Sequence, residues 1–168
     1  RSIAFIGASA NISKWGHIMY SGVIAGKYQG KIYLVNATGG EIADRKVYTS
    51  VMEIPEPVDL AVITVPADKI LPLIPQFEKK GIRNVLIITS GFSEVGTEGK
   101  ILEEELVKKA RQAGILIIGP NTMGICNPHI SLYCIGSHVR PPAGGTSLLA
   151  QSGNLGTQLL AFAAKEDI

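Results

Sequence analysis

A doubly wound α/β domain on a parallel sheet is what this chain predicts, and three observations carry the expectation. Apolar runs rich in Val and Ile alternate with stretches of helical period. The runs are continuous instead of alternating, as in strands buried on both faces. Small or polar residues follow each run, where the ligand crevice of such a fold opens.

Five strands are expected: residues 3–7 (IAFIG), 31–36 (KIYLVN), 60–66 (LAVITVP), 84–91 (NVLIITSG) and 115–121 (ILIIGPN). Right-handed crossovers place them in a Rossmann-like five-stranded sheet of order 3-2-1-4-5. The first crossover helix is expected over residues 16–27. The second covers 67–80, with Pro72 and Pro75 disturbing its first turns. The third, 100–113, carries an i,i+4 pair of Glu104 and Lys108 and stops at Gly114. HVRPPAGG (138–145) reads as a linker by its prolines and glycines. Residues 146–168 then read as a strand, a Ser-Gly turn and an amphipathic helix over 155–164, the first βα unit of a second α/β domain. That helix leaves Leu159, Leu160, Phe162 and Ala163 in need of a partner, either the first domain or a second copy of the chain.

With 168 residues, 46% of them apolar, and a mean hydropathy of +0.24, the chain can bury one full core and part of another. A net charge of +2 is too small to argue for nucleic acid or an acidic membrane surface. No apolar run approaches the ~18 residues of a membrane span. The chain opens on Arg1 without a basic-then-apolar leader, so an excised piece of a cytoplasmic protein is expected. Cys126 and Cys134, eight residues apart, match no zinc pattern and read as free thiols. His17, His129 and His138 sit in no catalytic motif, and neither a nucleophile elbow nor an H-E-x-x-H metal motif is present. No catalytic residue and no metal ligand is therefore expected in this chain.

The first turn, GASANISKWGH, holds the most chemistry. Gly7 fits the start of a dinucleotide fingerprint, but Ser9 and Ile12 stand where the other glycines belong, and the next glycine is Gly16. Ser9, Asn11, Ser13 and Lys14 add hydroxyl, amide and ammonium donors ahead of a helix N-terminus, a set that suits a ligand with several phosphates. The same residues also suit an ordinary βα turn with a solvated lysine. The second strand ends in Asn36, where a dinucleotide site places Asp or Glu on the ribose diol. Asn36 fits a strand-ending turn equally well. The remaining crevice residues are Pro66-Ala67, Ser90-Gly91-Phe92 and Pro120-Asn121.

IGAS, VNATGGEI, VPA, ITSGFSEVG, IIGPNTMGICNP and LLAQSGNLG occur in this order over essentially the whole chain. The set closely resembles the NDP-forming acyl-CoA synthetases, meaning ADP-forming acetyl-CoA synthetase and the succinyl-CoA synthetase α-subunit. The resemblance implies a CoA-binding domain over 1–137, the linker 138–145, and the truncated start of a flavodoxin-like ligase domain from 146. It implies that Gly7, Ala8, Ser9, Ser13 and Lys14 hold the phosphates of CoA and that Asn36 sits by the adenosine. Val65, Pro66, Ala67, Ser90, Gly91 and Phe92 would line the pantetheine path, and Asn121 would approach the thiol. Ser152 and Gly153 resemble the turn that steadies a phosphohistidine lying beyond this chain.

The reaction so implied turns acyl-CoA, ADP and phosphate into acid, CoA and ATP. ATP/ADP and Mg would be bound by the full-length protein, whose flavodoxin-like and ATP-grasp parts would be the partners of this piece. Ala37-Thr38 replaces the family's frequent Pro-Lys and removes a phosphate-binding cation. Thr122 replaces its frequent Cys after Gly-Pro-Asn. Related bacterial protein acetyltransferases share the same front end, so a non-catalytic CoA-sensing half is the alternative. An NAD(P)-binding oxidoreductase domain is disfavoured by the missing glycines and by Asn36.

Overall fold

All five apolar runs become strands of one sheet. In the computed structural model, which describes residues 1–166, the strands are β1 (Ser2–Ile6), β2 (Lys31–Val35), β3 (Gly40–Ile42), β4 (Arg45–Tyr48), β5 (Leu60–Ile63), β6 (Asn84–Ile87) and β7 (Leu116–Ile118). Their order is β3-β4-β2-β1-β5-β6-β7. Every neighbouring pair is parallel except the β3–β4 hairpin. The doubly wound parallel sheet is therefore present, with one seat filled differently from expectation. The order expected from the sequence puts the run at 60–66 outside β2, but β5 lies directly against β1, with Ala4 opposite Ala61 on one side and Tyr33 on the other. The third seat belongs to β4, so the order 3-2-1-4-5 holds only when β4 counts as the third strand.

The chain divides into two compact units, the first made of residues 1–17 and 30–122. Its core gathers Ala4, Ile6, Ala61, Ile63, Val85 and Ile87 from one face of the sheet. Against them lie Ile70, Ile74 and Phe77, together with Leu106 and Ala110. The alternate strand residues Ile3, Phe5, Leu34, Val62 and Leu86 are buried as well, which is why these runs are continuously apolar. Segment 67–80 breaks into short 3-10 turns at Ala67–Lys69 and Leu71–Leu73 before α2 (Ile74–Lys80). Pro72 and Pro75 lack the N–H that a continuous helix would need, and Pro75 falls in the first turn of α2, where it is tolerated. The next helix, here called α3 (Thr97–Gln112), ends on Ala113 and on Gly114 at φ +66°. Its ion pair is Glu105–Lys109 at 2.9 Å, one residue on from the expected pair.

The helix after β1, α1 (Trp15–Ala25), starts in the first unit and finishes in the second. That second unit comprises residues 18–29 and 123 onward. It holds an antiparallel hairpin absent from the sequence expectation, β8 (Gly124–Asn127) with β9 (Leu132–Ile135). A Cβ at Gly22 would stand 2.8 Å from the Tyr133 carbonyl, and one at Gly26 would stand 2.5 Å from the Tyr133 ring. Glycines at this i,i+4 spacing thus let helix and hairpin approach closely. Cys134 is fully buried beside the Met19 sulfur at 4.0 Å. Burial pushes its thiol up to about 12.

The linker is tied down within this unit. Tyr133 Oη donates to the Pro141 carbonyl at 3.0 Å, and His129 Nε2 lies 3.0 Å from the Gly144 carbonyl. The strand expected from Thr146, ahead of the Ser-Gly turn, does not form; residues 146–150 carry no ladder. A lone run has no neighbour to satisfy its N–H and C=O groups. The helix behind it does form, as α4 (Gly153–Lys165), with Ser152 Oγ accepting from Leu155 N at 3.3 Å as N-cap.

Candidate functional site

Parallel strands end in the same direction, so the loops after β1, β2, β5, β6 and β7 open along one edge of the first unit's sheet. Gly7 to Lys14, Asn36, Val65 to Ala67, Ser90 to Phe92 and Asn121 all lie in those loops. Ser152 and Gly153 belong to the second unit, at the start of α4, where a Cβ on Gly153 would meet Met123 Cγ at 2.1 Å.

The turn after β1 is fixed by backbone contacts. Gly7 N and Ala8 N both donate to the Val35 carbonyl, at 2.9 and 3.1 Å. Gly7 holds φ +97°, and a Cβ there would fall 2.7 Å from Thr64 Oγ1. Gly16 is the residue that sequence spacing missed. A Cβ on it would fall 2.0 Å from the Gly7 carbonyl oxygen, so only glycine lets α1 begin directly against the end of β1. It does the packing work of the fingerprint's third glycine from a displaced position.

Between these glycines the loop builds itself. Asn11 N donates to Ser9 Oγ at 3.1 Å, Ser13 N donates to Asn11 Oδ1 at 2.9 Å, and Lys14 N donates to the Asn11 carbonyl at 3.1 Å. His17 Nδ1 lies 3.3 Å from the Ser9 carbonyl. Ser9 and Asn11 thus spend acceptor oxygens on the loop's own turns, as short polar side chains do. The hydroxyl of Ser13 and the ammonium of Lys14 are exposed.

Asn36 stands between two loops. Its Nδ2 donates to the Ala8 carbonyl at 3.1 Å. Its Oδ1 accepts from Thr38 N at 2.9 Å, from Thr38 Oγ1 at 2.9 Å and from Gly39 N at 2.8 Å.

Two threonines that the sequence did not single out tie neighbouring strand ends together. Thr64 Oγ1 donates to the Ile6 carbonyl at 3.1 Å, and Thr89 Oγ1 donates to the Val65 carbonyl at 2.7 Å. The available signal was their shared place, each following the last isoleucines of an apolar run. Gly91, at φ +103°, sits with its Cβ position 3.4 Å from Ala67 Cβ, which joins the loops after β5 and β6. The Glu94 carboxylate accepts from Gly91 N, and that backbone donor holds its pKa below the usual carboxylate range. Phe92 is fully buried in the core, so its ring packs inward and does not line the crevice. After the cis Gly119–Pro120 bond, Asn121 takes φ +55° and its N–H donates to the Thr89 carbonyl at 3.0 Å.

The first loop therefore offers the exposed Ser13 hydroxyl and Lys14 ammonium beside the start of α1. Among the described residues no three of His, Cys, Asp or Glu converge on a metal-binding arrangement. No helix of the described residues is long and apolar enough to cross a membrane.

Residues 1–128 match the family model described as CoA binding domain. The chain is 42% identical over 172 aligned residues to the α subunit of acetate–CoA ligase (ADP-forming) I of Pyrococcus furiosus, covering 100% of this chain and 37% of that protein. Among solved structures, a protein of Pyrococcus horikoshii OT3 superposes with a TM-score of 0.93 at 40% identity, over 99% of this chain and 38% of that one. The dinucleotide-forming acetyl-coenzyme A synthetase 1 of Ca. Korarchaeum cryptofilum, in complex with phosphate and ADP, gives 0.85 at 35% identity, over 98% of this chain and 35% of that one. The chain thus spans little more than a third of these relatives.

Proposed function

Because this chain belongs to the family of CoA-binding domains, we propose that the loops at the carboxyl edge of its sheet bind coenzyme A for an ADP-forming acyl-CoA ligase. The observation that carries the reading is the loop from Ser9 to Lys14. It is held rigid by its own side chains and presents Ser13 and Lys14 outward beside the helix start that Gly16 brings against β1. A hydroxyl and an ammonium at a helix start are donors that suit a diphosphate with an additional phosphate. The neutral Asn36 at the end of β2 supports CoA over NAD, whose ribose diol calls for a carboxylate there. On this reading the CoA-binding domain covers 1–137, followed by the linker 138–145 and the opening of a flavodoxin-like ligase domain from 146. Ser152 and Gly153 belong to the phosphohistidine site of the whole enzyme. ATP or ADP, Mg and the ATP-grasp part belong to the remainder of that enzyme.

Melting the chain with and without ligand tests the reading. CoA at about 100 times its Kd adds roughly 2.7 kcal/mol. At roughly 2–4 °C per kcal/mol for a chain of this size, the melting point rises by about 5–10 °C. NAD at the same concentration leaves it nearly unmoved. Lys14→Ala weakens CoA binding, and the loss shrinks as salt rises because the contact is charge to phosphate. An equal shift with NAD, or normal CoA binding by Lys14→Ala, sinks the assignment.

A further inference from the structure

We propose that Asn36 is a positioning and specificity residue: it pins the phosphate-side loop to the loop after β2, and in doing so spends the groups with which this position grips a ribose diol elsewhere. The inference rests on the CoA reading above for its ligand, and on hydrogen bonds alone for its geometry. In a dinucleotide site a carboxylate at the end of the second strand offers two free acceptor oxygens to the diol. Here the single side-chain oxygen already accepts from Thr38 N, Thr38 Oγ1 and Gly39 N, so no lone pair remains for a hydroxyl pair.

The other half of the amide faces the Ala8 carbonyl at 3.1 Å. Only a donor fits against a carbonyl oxygen, which makes the neutral amide the requirement and the isosteric carboxylate a mismatch. Ala8 itself is buried, and its N–H is bonded to the Val35 carbonyl just before Asn36. The loop carrying Ser13 and Lys14 is therefore anchored through consecutive residues of β2's end. Its donors stand where they do because Asn36 holds the loop's first turn.

Two variants separate the pin from the local turn. Asn36→Asp keeps the three accepted hydrogen bonds and loses only the donation to Ala8. Asn36→Ala loses all four. Calorimetric titration with CoA should show affinity reduced about tenfold, the worth of one such bond, in both variants. The Asp loss should persist at about 1 M salt, where charge repulsion with the ligand is screened within roughly 3 Å. Amide exchange should stay slow at Thr38 and Gly39 in wild type and in Asn36→Asp, and become fast in Asn36→Ala. Neither variant should gain NAD binding.

Normal CoA affinity in Asn36→Asp, a loss that vanishes at high salt, or NAD bound as tightly as CoA would each overturn the proposal. Unprotected Thr38 and Gly39 amides in the wild-type chain would overturn it without any variant. A wild-type chain that binds no CoA overturns the functional reading instead, and the exchange rates still decide the pin.

Discussion

Ala43 and Asp44 turn the β3–β4 hairpin with φ of +49° and +57°, a two-residue connection of the type in which Asn-Gly and Asp-Gly prevail. Alanine has no side chain to compensate the left-handed conformation and is strained there by about 1 kcal/mol. Ala43→Asn is expected to stabilise the chain by about 0.5–1 kcal/mol, raising the melting point by roughly 1–4 °C; a lowered melting point would contradict this account of the turn. The same residue explains why the hairpin was invisible in the sequence: Ile-Ala-Asp-Arg lacks the glycine that signals such a turn. In the candidate site, the position of each residue at a strand end was legible, because apolar runs mark where strands stop. The partner of each polar atom was not. Composition cannot say that Ser9 and Asn11 turn their oxygens back on their own loop, or that the Phe92 ring points into the core.

Short contacts between elements were the least legible level. From the sequence Gly16 is only the first residue of the helix expected over 16–27, yet α1 can meet β1 only through it. Gly16→Ala must move either the helix or the Gly7 carbonyl, and such overpacking costs roughly 1–3 kcal/mol. CoA affinity should fall with it, since the Ser9–Lys14 loop spans the two glycines. Gly144→Ala is the matched control, because nothing lies within 4 Å of its Cβ position; equal effects of the two changes on the melting point would refute the close approach. Strand β4 escaped notice for a related reason. With Arg45 and Lys46 exposed and Val47 alone deeply buried, it carries too little apolar sequence to be told from a loop. Its seat beside β2 is set by pairing, Leu34 with Val47 and Val35 with Tyr48. The absent strand at 146–150 is the converse, a run with adequate sequence and no neighbour to pair with.

Among the described residues, four carboxylates are held below their ordinary range by donors in the fold. Ser2 N donates to Asp59 at 2.8 Å. Glu53 accepts from Thr49, Glu56 from Lys31, and Glu94 from Gly91. A depressed folded pKa contributes stability that is present above the unfolded value and is lost as pH falls through the folded one. The melting point should therefore stay level from pH 8 to about 5 and decline below about 4, with Asp59→Asn flattening the decline. A scan in which acid raises the melting point would reverse the sign and refute it. The division into two units has a different consequence. Residues 18–29 belong with the hairpin of 124–135 while the chain on either side of them builds the sheet, so no single cut separates the two. A piece ending at Thr122 would keep α1 but strip Gly22 and Gly26 of the Tyr133 surface they fit. Truncation after Thr122 is therefore expected to lower the melting point, because the second half of α1 loses the surface that its glycines fit.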